Sequence, residues 1–156
     1  MGDYTYIHSR RGWLFLAVVM DQFTRRVLGW AASEYRTAEL TCAALRNALQ
    51  RHRPRWGALF HSDQGIEYTA DRFKRLLADN GPTQSMSRRA YYYDNAHVES
   101  FFGSLKAESD VTEDQMQTSI PGLISHIEDY LQFYNRKRLH STLGLETPTE
   151  SVKLAA

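Results

Sequence analysis

The order of apolar patterns along the chain predicts an α/β domain: a mixed five-stranded sheet, three antiparallel strands then parallel additions, flanked by helices. Two observations carry this. The first 33 residues fall into strand-length alternating or apolar segments joined by short polar turns. From Thr37 onward, helix-period segments alternate with short apolar strands. A meander followed by alternating helices and strands is satisfied by right-handed crossovers that lay helices on the faces of the sheet.

Each element has its own signal. Asp3-Tyr-Thr-Tyr-Ile7 alternates with period two, Asp3, Thr5 and Ile7 sharing one face. His8 to Gly12 is turn-like, and Gly12 can take positive φ. Trp13 to Met20 is nearly all apolar, the pattern of a strand covered on both faces. Val27 to Ser33 follows as the third strand. Thr37 is placed to cap a helix with Leu40, Ala44, Leu45 and Leu49 on its apolar side, stopped by Pro54. Ala58 to His61 is a short buried strand that delivers Ser62 and Asp63 at its carboxyl end. A helix over about Ala70–Asn80 buries Phe73, Leu76 and Leu77 and ends at Gly81. Thr83 to Ser87 reads as the fifth strand. The next helix starts near Asp94 or Asn95 and carries Val98, Phe101, Phe102 and Leu105 as its apolar stripe. The last runs over about Pro121–Tyr134, with Ser119 as its cap and Ile124, Ile127 and Leu131 inward. From Asn135 the tail is basic, then turn-rich and weakly patterned. No repeat or linker interrupts residues 1–156, which read as one domain.

Composition excludes several classes. Cys42 is the only cysteine, so no disulfide forms within the chain. It reads as a small buried hydrophobe and fits a reducing cytosol. The longest apolar run is far shorter than the roughly 20 residues of a membrane helix, and the amino terminus lacks a signal-peptide pattern. Net charge is +1. The basic residues nevertheless gather at Arg10/Arg11, Arg25/Arg26, Arg51 to Arg55, Arg88/Arg89 and Arg136 to Arg138. One such pair is ordinary solvated surface; five on a nearly neutral chain favour a polyanionic partner.

Three acids occupy awkward places. Asp3 lies in a strand, where aspartate is depleted. Asp63 stands at a strand's carboxyl end before Gln64-Gly65, where α/β sheets commonly bind ligands. Glu99 lies beside the Val98/Phe102 stripe, in a polar row with Asn95 and Lys106. If the first strand neighbours the one ending at Asp63, Asp3 and Asp63 approach each other at the sheet surface; three carboxylates clustered there would repel unless cations neutralised them. Hard divalent ions suit an all-oxygen set, and no Cys/His set has zinc spacing. Taken singly, each acid reads as a turn former, an ordinary helix residue or a solvated terminus.

Motifs add what spacing does not. His61-Ser-Asp-Gln-Gly-Ile-Glu-Tyr-Thr69 and Tyr93-Asp-Asn-Ala-His-Val-Glu-Ser-Phe-Phe-Gly-Ser-Leu-Lys-Ala-Glu108 stand in the chain's middle. With Asp3–Ile7, Gly12–Ala17 and Tyr134-Asn-Arg-Lys-Arg-Leu-His-Ser-Thr-Leu-Gly144, they closely resemble the integrase-like catalytic core of bacterial insertion-sequence transposases. The resemblance is collinear over essentially the whole chain, and the 35 residues between Asp63 and Glu99 match that group's interval.

The resemblance implies a ribonuclease-H-like fold and an acidic (DDE) triad of Asp3, Asp63 and Glu99. It implies two Mg²⁺ or Mn²⁺ ions, and phosphodiester cleavage and DNA strand transfer by in-line displacement. It places Asn95, Lys106, Arg88, Arg89, Arg138 and His140 as DNA contacts, with pinning of the last helix to the Glu99 helix as the other role of Arg138 and His140. Tyr91 to Tyr93 become an aromatic loop beside the site, not nucleophiles. The partners implied are DNA, as element ends and target, and further copies of the chain in a synaptic complex within the bacterial cytoplasm and nucleoid. Family members carry a helical DNA-binding region before the first strand, whereas only Met1 and Gly2 precede Asp3 here. The expectation is therefore an absent amino-terminal region and a frayed first strand. An inactive remnant that binds DNA or oligomerises, and a purely hydrolytic nuclease, stand as alternatives.

Overall fold

The computed structural model describes residues 1–9, 12–87, 95–109 and 119–154. In chain order the elements are β1 (Gly2–Ser9), β2 (Gly12–Met20), β3 (Val27–Ser33), α1 (Ala38–Arg51) and β4 (Leu59–Ser62). There follow α2 (Ile66–Thr69), α3 (Asp71–Asn80), β5 (Thr83–Met86), α4 (Ala96–Glu108) and α5 (Ile120–Arg136). A 3-10 turn (Ser141–Leu143) and α6 (Pro148–Leu154) complete the described residues.

The meander forms as its pattern predicts. β1 pairs antiparallel with β2 from Gly2↔Val19 to Ser9↔Gly12, and β2 with β3 from Phe15↔Ser33 to Met20↔Val27. Gly12 takes φ +125°, the positive region open to glycine. The expected fraying of β1 does not occur. The Met1 ammonium donates to the Met20 carbonyl at 2.7 Å, and the Met20 N–H returns to the Met1 carbonyl at 2.8 Å. The ladder thus extends one residue beyond Gly2, and Asp3 sits within paired backbone.

The five expected strands are present but are hydrogen-bonded as three plus two. β4 and β5 pair in parallel, Leu59↔Thr83 to Ser62↔Met86, as a ladder separate from β1–β3. β4 lies beside β1 through side-chain packing: a Cβ on Gly2 would stand 2.3 Å from the tip of the Phe60 ring. That ring occupies the space next to β1 at its first residues.

Helices cover both sides. Ile7, Leu14, Leu16 and Val18 pack with Val98, Phe101 and Leu105 of α4 and Leu123 and Ile127 of α5. Ala17 and Val19 face the other way, toward Leu40, Ala44 and Leu45 of α1 and Phe60, Phe73 and Leu77. Residues of β2 therefore bury into two cores, which is why its sequence is apolar without alternation. α1 approaches β3 closely over Gly29, where a Cβ would lie 2.3 Å from the Ala48 nitrogen. Asn135 acts as a substitute strand partner: its Nδ2 donates to the Val27 carbonyl and its Oδ1 accepts the Val27 N–H, both at 2.9 Å.

Local differences have local reasons. Thr37 precedes α1 in extended conformation, but its side chain makes no cap hydrogen bond. Ser119 does cap α5, accepting from the Gly122 N–H at 3.3 Å. The tail read as weakly patterned forms α6, opened by a reciprocal capping box. The Glu150 carboxylate accepts from the Thr147 N–H and hydroxyl at 3.0 and 2.8 Å, and the Glu150 N–H donates to Thr147 Oγ1 at 3.2 Å. Among the described residues no helix is long and apolar enough to cross a membrane.

Candidate active site

Asp3 is carried by β1 opposite Val18, half-buried, and its Oδ1 accepts the Tyr4 N–H at 2.8 Å. Asp63 follows the last residue of β4. Its Oδ1 accepts the Gly65 N–H at 2.9 Å, an Asx turn that fixes the carboxylate's direction. Glu99 lies in the first turn of α4, exposed to solvent.

The three acids converge electrostatically. Asp3 is pushed from an ordinary carboxyl value up to about 7. Burial is the largest cause, the Tyr4 N–H opposes it, and the negative fields of Asp63 and then Glu99 raise it further. Charge from a different strand and from a helix thus reaches Asp3. The fully buried Tyr68 hydroxyl feels the same cluster: burial, then Asp3 and Asp63, raises its pKa well above the usual phenol value. The donors are all oxygen, a set that fits a hard divalent cation. As placed, no three acidic, histidine or cysteine side chains among the described residues stand close enough to grip one ion together.

Around Asp63 the structure adds residues that sequence reasoning passed over. Glu67, on α2 and only 4% exposed, is held by Arg36, whose Nε reaches Oε1 at 2.5 Å and whose Nη2 reaches Oε2 at 3.3 Å. The Arg36 guanidinium lies over the Tyr4 ring, 4.6 Å from its centroid. A Cβ on Gly65 would stand 2.9 Å from Asp63 Oδ1 and 3.3 Å from Glu67 Oε2, so both carboxylates flank this glycine. The available signal was Glu67 inside the His61–Thr69 motif; its partner lies 31 positions earlier, beyond local pattern. His61 braces β4 to the following strand, its Nδ1 3.0 Å from Ser85 Oγ and its Nε2 2.9 Å from Ser87 Oγ. Gln64 Nε2 donates to the Ser87 carbonyl at 3.1 Å.

The other predicted contacts divide over α4. At about 100° per residue, Asn95, Glu99 and Lys106 fall on one face, and His97, Phe101, Ser104 and Glu108 on the opposite one. Lys106 is exposed, its Nζ 5.2 Å from the Tyr6 ring centroid. Asn95 is buried rather than part of an open polar row, and its Oδ1 has no hydrogen-bond partner. Arg138 serves the opposite face, bonding Glu108 through Nε (2.8 Å to Oε2) and Nη2 (2.6 Å to Oε1), with Ser104 Oγ at 3.3 Å. The Tyr130 hydroxyl also donates to Glu108, at 3.1 Å. His140 packs edge-on against Tyr134, ring centroids 4.8 Å apart. These contacts pin the segment after α5 to α4. Arg10, Arg11, Arg88, Arg89 and Tyr91 to Tyr93 lie outside the described residues.

The family model described as integrase core domain matches residues 1–91. The chain belongs to the integrase core domain family. A second model of the same description matches residues 80–148 of this integrase core. It is 39% identical over 150 residues to the transposase InsF of insertion sequence IS3fB from Escherichia coli, covering 96% of this chain and 51% of that protein. It is 36% identical over 155 residues to the transposase of insertion sequence element IS904 from Lactococcus lactis, covering 98% and 60%. The chain thus spans little more than half the length of these relatives. Among solved structures, the HTLV-2 integrase catalytic core domain in complex with magnesium superposes with a TM-score of 0.74 at 16% identity, covering 96% of this chain and 91% of that one. The fold of this integrase core is therefore the ribonuclease-H-like one expected.

Proposed function

We propose that this integrase core is the catalytic core of a DNA transposase, and that Asp3, Asp63 and Glu99 hold two divalent cations, Mg²⁺ or Mn²⁺, for phosphodiester cleavage and strand transfer. One observation carries the reading: within a fold of this family, the fields of Asp63 and Glu99 reach a half-buried Asp3 whose pKa is raised to about 7. The relatives' name as transposases and the magnesium bound by the HTLV-2 core support it. Such ions, when bound, supply an activated water or 3′-hydroxyl and a stabilised leaving oxygen.

The chain's own residues prepare this. The Gly65 N–H orients Asp63, and the Tyr4 N–H orients Asp3. Arg36 neutralises Glu67, so that the additional buried carboxylate does not add an unpaired negative charge beside Asp63. Lys106 is exposed on the Glu99 face of α4, where a cation suits a DNA backbone, while the buried Asn95 at the start of the helix is placed to support the Glu99 turn from within. Arg88 and Arg89 are assigned the same role by sequence alone. DNA ends, target DNA and a second copy of the chain are the proposed partners.

The test is Asp63→Asn, which removes a ligand charge at nearly constant shape. Calorimetric Mn²⁺ binding and Mg²⁺-dependent plasmid nicking are expected to be lost, with the melting temperature kept. Undiminished nicking by this variant would overturn the assignment. Joining of a precleaved duplex end separates strand transfer from hydrolysis alone.

A further inference from the structure

On the face of α4 opposite Glu99, the β2–β3 turn, α4 and the segment after α5 enclose a cleft of about 400 Å³. It adjoins a wider depression of about 710 Å³ and shares Arg25, His97 and Thr142 with it. Among the described residues four basic side chains line the cleft, Arg25, His97, Arg138 and His140, and no acidic one does. Arg138 is already bound to Glu108. Arg25 Nη1 and His140 Nε2 are buried and have no hydrogen-bond partner. Buried polar groups are rarely left unpaired, because the cost of desolvating them is then uncompensated. Two in one cleft call for an acceptor that arrives from outside the chain.

Backbone and electrostatics agree. Arg25 adopts φ +61°, a left-handed conformation that non-glycine residues seldom take, so the turn holds this side chain at a conformational cost. Burial lowers the pKa of His140; Arg138 lowers it further, Glu108 raises it by less, and Arg25 adds a weaker lowering. The His140 imidazole therefore sits beside two guanidinium groups whose positive field an anion would relieve. The donors come from three separate segments that line one cleft, the β2–β3 turn, α4 and the stretch after α5. That arrangement suits a tetrahedral oxyanion better than a flat carboxylate, with Arg25 able to bond two of its oxygens.

We infer that this cleft binds a phosphate group between Arg25 and His140, on the side of α4 opposite the carboxylates. Its source, a phosphodiester of duplex DNA rather than free orthophosphate, rests on the DNA-acting function proposed above.

The test uses the full chain in EDTA, so that the carboxylate site plays no part. Arg25→Asn keeps a residue tolerant of positive φ, Arg25→Lys keeps the charge, and His140→Phe keeps the ring on Tyr134. A fluorescent random-sequence duplex is titrated over a range of KCl, and the histidine ¹H–¹⁵N resonances are followed with duplex and with sodium phosphate. Several-fold weaker duplex binding is expected for Arg25→Asn and His140→Phe. The slope of log affinity against log salt should fall by about one for each, and Arg25→Lys should recover most of the loss. In the wild-type chain, duplex should shift the His97 and His140 resonances. Shifts with orthophosphate alone would keep the phosphate site and overturn DNA as its source. No shift with either probe, or wild-type affinity and slope in both variants, would overturn the site. The carboxylate assignment is read by Mn²⁺ binding and the cleft by duplex binding in EDTA, so the two fail separately.

Discussion

Replacing Gly65 with alanine isolates the geometry of Asp63 from its charge. The backbone at Gly65 has φ −56° and ψ 145°, which alanine adopts freely, so no backbone strain enters. The added Cβ would stand 2.9 Å from Asp63 Oδ1, about half an ångström inside the 3.4 Å at which ordinary contact begins. The carboxylate has to move or turn, and in doing so weakens its 2.9 Å hydrogen bond from the Gly65 N–H. A hydrogen bond to a charged group contributes about 1.5–3 kcal/mol. The smaller conformational freedom of alanine in the unfolded chain returns about 0.4–1 kcal/mol. The net cost of about 1–2 kcal/mol corresponds to a melting-temperature drop on the order of 2–8 °C at this chain length. Function should suffer more than stability, since groups that orient metal ligands are worth about 10–100-fold in metal affinity or activity. Calorimetric Mn²⁺ titration and plasmid nicking, read beside the melting curve, measure both. A folded Gly65→Ala protein with undiminished Mn²⁺ affinity and nicking would refute the reasoning.

Gly103 supplies a contrasting case: it lies in α4 with no atom within 4 Å of a Cβ placed on it. Gly103→Ala should stabilise the chain by about 0.5–1 kcal/mol, measured as a higher urea midpoint at unchanged m-value. Glu108 has its pKa lowered, chiefly by the hydrogen bonds from Arg138. The lowered pKa contributes stability that is present above the unfolded-state value, about 4.3, and is lost as pH falls through the folded-state value. Urea midpoints of wild type and Glu108→Gln should therefore differ at pH 7 and converge in acid; a gap that widens below pH 4 would contradict the assignment.

What the sequence made legible depended on the range of the interaction. The Trp13–Met20 run, the Val98/Phe101/Phe102/Leu105 stripe and Gly81 after α3 are local signals, and each element formed where it pointed. Thr147-Pro-Thr-Glu150 is equally local, a complete capping box in a tail read only for its turns. Its helix was available from the residues and was passed over. The division of five strands into two ladders was not available, because pairing between strands far apart in sequence leaves no local signal. The same holds for Arg36, a lone arginine whose significance is its approach to Glu67, 31 residues away. Arg138 was legible in two ways, as a DNA contact and as a pin between the last helix and the Glu99 helix, and its bond to Glu108 of α4 supplies the second.

The three acids were written alike by the sequence, and the fold distinguishes them. Asp3 and Asp63 are each tied to a backbone N–H, at 2.8 and 2.9 Å, on or just after a strand. Their directions are fixed by these bonds and change only at the cost of weakening them. Glu99 is exposed on the first turn of a helix and has no hydrogen-bond partner among the described residues. Its side chain has rotamers to choose from, and choosing costs entropy but no broken bond. Such a set stands close enough for the charges of Asp63 and Glu99 to raise Asp3. Under the proposed function, two oriented carboxylates and one adjustable one would let a cation recruit Glu99 at a cost in side-chain entropy, without breaking the backbone hydrogen bonds of Asp3 or Asp63.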